Sequence, residues 1–266
     1  MTPPLLGTWT EWHLRARRSE GTEGTALVFA PHPDDEVIAC GGTIARLVSE
    51  GTRVQVVFAT DGAMSHSAVL GIHTDPTPAE LREIRRREAR AAARTLGLPE
   101  DAVRFLDFPD TRLADHLTPF RAKVLEVLDT HPGAAEVYLP HEVRELNADH
   151  RLTGETVLGC LAERELAPTV YRYVVWDERT EQEFAFVNRN PASGGADAPE
   201  RLIAVDITEQ LPVKRAALRQ HRTQVDLFAP GQTRPVVPEP FQERVLAART
   251  EEFWISAPAP ARPETE

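Results

Sequence analysis

Residues 26–51 read ALVFAPHPDDEVIACGGTIARLVSEG. Ala26 to Ala30 is an unbroken apolar run of strand length, and it ends at a Pro-flanked histidine followed by three acids. From Asp35 the pattern changes to helical spacing, with Val37, Ile38, Gly41, Ile44, Ala45 and Val48 on one side and Gly51 suited to a left-handed cap. A buried strand, a turn and an amphipathic helix form the opening of a sheet covered by helices. A dinucleotide-binding unit would carry a glycine-rich turn at this point, because backbone must approach pyrophosphate closely. Carboxylates here would repel a phosphate.

Reading outward, the alternation continues. Val54 to Ala59 is a second strand, residues 60–77 read as a long loop, and a helix runs from Pro78 to Gly97. Strands follow at Val103 to Phe108 and Glu136 to Leu139, with a helix near Phe120 to Leu128 between them. A polar loop reaches His150, where a helix to about Glu163 begins. Later strands are expected at Tyr171 to Trp176 and Leu202 to Asp206, and final helices at Glu209 to Gln224 and Phe241 to Ile255. This order predicts an α/β protein with a mostly parallel sheet and helices on both faces. No repeat or composition break divides it. We therefore expect an N-terminal extension (1–24), a single domain (25–256) and a disordered tail (257–266).

The chain has 266 residues and a net charge of 30 − 41 = −11. An acidic excess disfavours nonspecific binding to nucleic acid or an anionic membrane. No window approaches the ~18 unbroken apolar residues of a spanning helix, and residues 1–24 lack the apolar core of a signal peptide. Two cysteines, Cys40 and Cys160, fit a reducing compartment better than a secreted disulfide framework, which points to the cytoplasm. Oligomeric state does not follow from any of these features.

Candidate chemistry concentrates in two segments. In the first, His32 and Asp35 lie three apart across the strand-to-helix bend and can face one point, a hard, partly nitrogenous pocket for a divalent cation. Asp34 then stays free for proton transfer. Helix capping would account for one of these acids but not for both together with the histidine. The second segment, His141 to His150, follows the fourth strand, so both lie at the carboxyl rim of the sheet. His150 could complete a two-histidine, one-carboxylate set that leaves a position for water, with Asp149 orienting a neighbour.

These residues, with Gly41-Gly42-Thr43-Ile44, Thr60-Asp61-Gly62, the Arg-rich helix ending Leu96-Gly97, Asn147-Ala148-Asp149-His150 and Lys214 through His221 to Gln224, resemble the PIG-L/LmbE-like de-N-acetylases. That family includes N-acetylglucosaminyl-phosphatidylinositol deacetylases and the deacetylases and amidases of mycothiol and bacillithiol metabolism. The resemblance spans about residues 25–255 and implies a Rossmann-like fold and a zinc site, other divalent transition metals being possible. It makes His32, Asp35 and His150 the metal ligands, Asp34 the general base and Asp149 a partner behind the ligands. Many members have His-x-Asp-His where this chain has Asn147-x-Asp149-His150. Asn147 can donate a hydrogen bond but not a proton at neutral pH, and His141 is the candidate substitute.

The implied reaction is hydrolysis of an N-acetyl group on a small, sugar-containing N-acyl substrate of the N-acetylglucosamine type. An amidase of a thiol conjugate and a sugar-binding module that lost activity through the Asn147 change are the other readings. Asp61, Asp110 and Arg85 are candidate substrate contacts, set against turn formation for the two acids and a solvated helix face for the arginine. Lys214, His221 and Gln224 are expected to pack or hydrogen-bond within the fold, and Trp176 and Phe253 to be core or pocket wall.

Overall fold

The computed structural model describes residues 24–177 and 200–256. Residues 1–23 of the expected extension, residues 178–199 and the expected tail at 257–266 lie outside the described residues. In chain order the elements are β1 (Thr25–Ala30), α1 (Asp35–Ser49), β2 (Arg53–Thr60), α2 (Pro78–Thr95), β3 (Val103–Phe108), α3 (Leu117–Thr130), β4 (Ala134–Pro140), α4 (Ala148–Glu163), β5 (Thr169–Tyr173), β6 (Glu200–Asp206), α5 (Leu211–Leu218), α6 (Arg222–Val225), α7 (Glu239–Ala247) and β7 (Thr250–Ser256).

Among the described residues the seven strands form one sheet in the order β3-β2-β1-β4-β5-β7-β6. Strands β1 to β5 pair in parallel, while β7 runs antiparallel to both β5 and β6. Strand β1 carries apolar residues on both faces because both faces are covered. Val28 and Ala30 pack with Ile44 of α1, Ala89 of α2 and Leu218 of α5, whereas Leu27 and Phe29 pack with Phe120 of α3 and Val157 of α4. The chain leaves β1 toward β2 and β3 on one side and resumes on the other side at β4. Such a reversal opens a crevice at the carboxyl ends of the two central strands. Both candidate segments emerge there.

Three sequence expectations change. Residues 60–77 are not wholly irregular, since Ser65–Leu70 forms a π-helical turn. The helix expected at Glu209 to Gln224 is divided into α5 and α6, with His221 between them. The helix expected at Phe241 to Ile255 ends at Ala247, and its second half is strand β7. Thr250, Phe253, Trp254 and Ile255 are β-branched or aromatic, and Glu251 and Phe253 are buried at a two-residue period, which suits a pleated surface.

Two close approaches fix the framework around the crevice. The Lys214–Glu251 pair (2.7 Å) is buried against α1: Lys214 Nζ also donates to Ile38 O at 2.9 Å, and Glu251 accepts from Gly42 N and Thr43 N at 2.8 and 2.7 Å. In α4, a Cβ on Gly154 would lie 2.3 Å from the backbone oxygen of Pro140. Backbone cannot rotate away as a side chain does. Gly154→Ala is therefore expected to lower stability by about 1–3 kcal/mol, read as an earlier urea midpoint at unchanged slope. An unchanged midpoint would mean that α4 has room to move.

Candidate functional site

The turn after β1 is tied down at each step. Pro31 O accepts from Thr60 N and Oγ1 at 2.9 and 3.0 Å, and Asp35 N donates to His32 O at 3.3 Å. Asp34 follows with φ 148°, a conformation that strains a residue with a Cβ by about 1–3 kcal/mol. It occupies the N-cap position of α1, yet its side chain makes no capping hydrogen bond. Capping therefore does not explain Asp34. Arg85, from α2, donates to Pro33 O at 2.5 Å and Gly62 O at 2.7 Å, and its NH2 lies 3.2 Å from Asp34 Oδ1. It is buried, not solvated. Gly62 admits it: with φ +63°, a Cβ there would lie 2.4 Å from the guanidinium.

Across the crevice, Asn147 caps α4, its Oδ1 accepting from Asp149 N at 2.8 Å and His150 N at 3.4 Å. That capping sets His150 in the first turn, where it is fully buried. His150 Nε2 lies 3.0 Å from Asp35 Oδ2 and 3.2 Å from His32 Nδ1, and His32 Nδ1 lies 3.2 Å from Asp35 Oδ2. Three donor atoms of His32, Asp35 and His150 thus form a compact triangle. Ligands about 2.0–2.2 Å from a tetrahedral ion would be spaced by about 3.3–3.6 Å, within a few tenths of an ångström of these edges, so the triangle fits a metal ion. Two imidazole nitrogens facing each other beside a carboxylate need a positive charge between them.

Carboxylates stand behind both histidines. His32 Nε2 lies 3.2 Å from Asp110 Oδ1 and 3.5 Å from Asp149 Oδ2. Glu145 Oε1 lies 3.2 Å from His150 Nδ1, in ion-pairing range but off the line of a hydrogen bond, while its oxygens accept from Val175 N and Trp176 N. Burial alone would lower both histidine pKa values. It is outweighed at His32 by Asp110, Asp149 and Asp35, which raise the value well above normal, and at His150 by Asp35 and Glu145, which push it up to about 9. Burial would raise Asp35, but His150 and His32 hold its carboxyl far below the usual range. A field that gathers protons onto these ring nitrogens is equally suited to a divalent cation, which would displace them. Asp34 differs: burial pushes it up to about 6, against the lowering effect of Arg85.

The triangle opens into a pocket. His32, Asp34, Asp35, Arg85, Asp110, Thr111 and Asn147 line its floor. Met64, Ala68 and Val69 at and within the π-helical segment, Trp176, Val236 and Val237 supply its apolar lining, and Ser65 and Gln224 add polar groups. Trp176 is held by stacking on Phe241, ring centroids 4.8 Å apart, whereas Phe253 is core.

Other candidates fall elsewhere. Asp61 is not among the lining residues; its Oδ1 accepts from Ala63 N and Asp110 N, a turn-forming role. Asp110 reaches the pocket, but Oδ2 accepts from Met64 N and Oδ1 faces His32. His141 is buried outside the lining: Nδ1 accepts from Val143 N at 3.2 Å, and Nε2 lies 3.1 Å from Arg144 Nε and 3.2 Å from Glu200 Oε2. His141, Glu142 and Glu200 are spaced like ligands, but Arg144 and Arg172 already supply the positive charge there. Lys214, His221 and Gln224 are all buried and hydrogen-bonded within the fold as expected; Gln224, whose Nε2 donates to Ser65 Oγ at 3.2 Å and Thr223 Oγ1 at 2.9 Å, also lines the pocket. Glu145 escaped the sequence reading, since a lone acid in a polar loop carries no periodic or motif signal. Glu36 did carry one, being part of the acidic turn.

A family model described as PIG-L, GlcNAc-PI de-N-acetylase, matches residues 27–161. A probable N-acetyl-alpha-D-glucosaminyl L-malate deacetylase 2 of Bacillus cereus is 25% identical over 206 residues, covering 77% of this chain and 85% of the relative. A 4-oxalmesaconate hydratase of Pseudomonas putida is 35% identical over 144 residues, 53% of each chain. Among solved structures, the N,N'-diacetylchitobiose deacetylase of Pyrococcus horikoshii superposes with a TM-score of 0.60 at 24% identity, covering 94% of this chain and 93% of the other.

Proposed function

Because this chain belongs to the PIG-L, GlcNAc-PI de-N-acetylase family, we propose that it is a metal-dependent hydrolase that removes the N-acetyl group from an N-acetylglucosamine-type small-molecule conjugate. The observation that carries the reading is the His32, Asp35 and His150 triangle with Asp34 beside it, outside the ligand cluster but in the same pocket. Two nitrogens and one oxygen at this spacing favour zinc, and the deacetylase relatives support an amide substrate. Unpaired, buried Cys40 and Cys160 support a cytoplasmic setting. No helix among the described residues is long and apolar enough to cross a membrane.

In this reading His32, Asp35 and His150 hold the cation, which when bound supplies Lewis acidity, lowering the pKa of water and polarising a carbonyl. Asp34, a buried carboxylate beside the ligand cluster, takes the proton of the attacking water and returns it to the departing amine. Arg85 keeps Asp34 in place, and Asp110, Asp149 and Glu145 orient the two histidines. Asn147 has its Oδ1 turned to the helix amides, so its NH₂ is the end left to donate to the acyl oxygen as negative charge develops. His141 lies outside the pocket lining, which makes Asn147 the better candidate for this contact.

The hydratase relative suggests a second chemistry on a carboxylate substrate. Among the described lining residues Arg85 is the sole arginine or lysine, and both its terminal nitrogens are engaged by Pro33, Gly62 and Asp34. That leaves no free side-chain cation among the described lining residues, and with the deacetylase relatives it favours the amide substrate over the hydratase chemistry. The test is release of free amine from a panel of N-acetylated amino sugars and acylated thiol conjugates. Release should stop on chelation and return with zinc. A melting shift with panel members but no amine would instead identify a binding module, and amine from thiol conjugates alone would identify the amidase.

A further inference from the structure

Glu36 stands outside the cation cluster, yet it is buried with both oxygens engaged. Its Oε2 accepts the N–H of Asp34 at 2.9 Å, and its Oε1 accepts from His221 Nε2 at 2.8 Å. On the other side, Arg85 donates to Pro33 O. The N–H of Asp34 and the C=O of Pro33 belong to one peptide unit, so buried side chains grip that unit from both sides. We propose that Glu36 and His221 are positioning residues that, opposite Arg85, lock the Pro33–Asp34 peptide and so keep the Asp34 carboxylate beside the metal site without letting it become a ligand.

The strain at Asp34 makes the lock necessary. With φ 148° and ψ −29°, Asp34 would relax by rotating its flanking peptide planes. Rotation of the preceding plane would pull its N–H from Glu36 and the Pro33 oxygen from Arg85. The following carbonyl is also held, accepting from Val37 N and Ile38 N at 3.0 Å each. Glu36 needs its own support, because a buried carboxylate without a counter-charge is unstable. His221 supplies it from the break between α5 and α6, which explains why that helix pair is interrupted at a fully buried histidine. The inference rests on the reading of Asp34 as the base.

Alanine and glutamine at each position separate the lock from a merely structural role. Gln at 36 still offers an oxygen to Asp34 N–H, and Gln at 221 still offers an N–H to Glu36. Glu36→Ala and His221→Ala should lose on the order of 10- to 100-fold in kcat, with KM and bound-metal stoichiometry unchanged, and Glu36→Gln and His221→Gln should recover most of it. In protein loaded with cobalt, the visible absorption should change in Glu36→Ala, where Asp34 is free to join the ligands, and match the parent in Glu36→Gln. Glu36→Leu, of similar volume, carries the comparison if Glu36→Ala does not fold. Unchanged kcat, equal damage from Ala and Gln, metal lost in step with kcat, or identical cobalt spectra would overturn the lock. If the parent itself releases no amine, the deacetylase reading fails, and the cobalt comparison still decides the lock.

Discussion

Asp34→Asn should lower amine release about 10²- to 10⁴-fold while leaving the bound cation in place. Asn has the shape of Asp, and its oxygen can still accept from Arg85, which lies 3.2 Å from Asp34 Oδ1. The backbone grip on Asp34 N and Pro33 O does not involve the replaced atoms. What disappears is a group able to take a proton. Because Asp34 is absent from the cluster formed by His32, Asp35 and His150, metal content after dialysis should equal that of the parent. Near-parental turnover would remove Asp34 as the base, and loss of metal would put its carboxylate among the ligands. Near-parental turnover would also show that the burial that raises this carboxyl's pKa serves something other than proton transfer.

The contrast between Asp34 and Arg85 shows what a sequence can carry. The acidic turn was readable because a strand, a bend and a helix start lie within a few residues, and local geometry brings His32 and Asp35 to one point. His150 was readable because a parallel sheet brings strand ends to a common rim, which the β1–β4 pairing realises. Arg85 was not, since its burial depends on Gly62, a residue 23 positions away whose missing Cβ makes the space. Spacing within α2 does not reveal that one arginine of six turns inward. Likewise His141 and Asn147 share a loop, and only the capping of α4 turns Asn147 toward the pocket while His141 is taken up by Arg144 and Glu200. Strand β7 was read as helix because Phe241 to Ile255 has apolar residues compatible with either period, and its pairing with β6 comes from strands far apart in sequence.

His150→Ala should weaken cation binding by about 100-fold or more, beyond the 10- to 100-fold expected when a group behind a ligand is changed, and amine release should fall with it. The substitution deletes one corner of the donor triangle and leaves His32 Nδ1 and Asp35 Oδ2 alone at 3.2 Å. It also removes the imidazole facing Glu145, a fully buried carboxylate then supported by two backbone N–H groups. Some loss of stability is therefore expected, and it must be separated from loss of the ligand. Glu145→Gln provides the comparison: the amide keeps an oxygen for one of the two backbone donors, Val175 N or Trp176 N, and loses the charge facing His150 Nδ1, so it carries a stability loss of its own while all three donor atoms of the triangle stay in place. Titration with zinc should rank the proteins, with Asp34→Asn at the parent's affinity, Glu145→Gln weaker and His150→Ala weakest. Parental affinity in folded His150→Ala would detach His150 from the metal, and with it the assignment of the triangle as the centre of the chemistry.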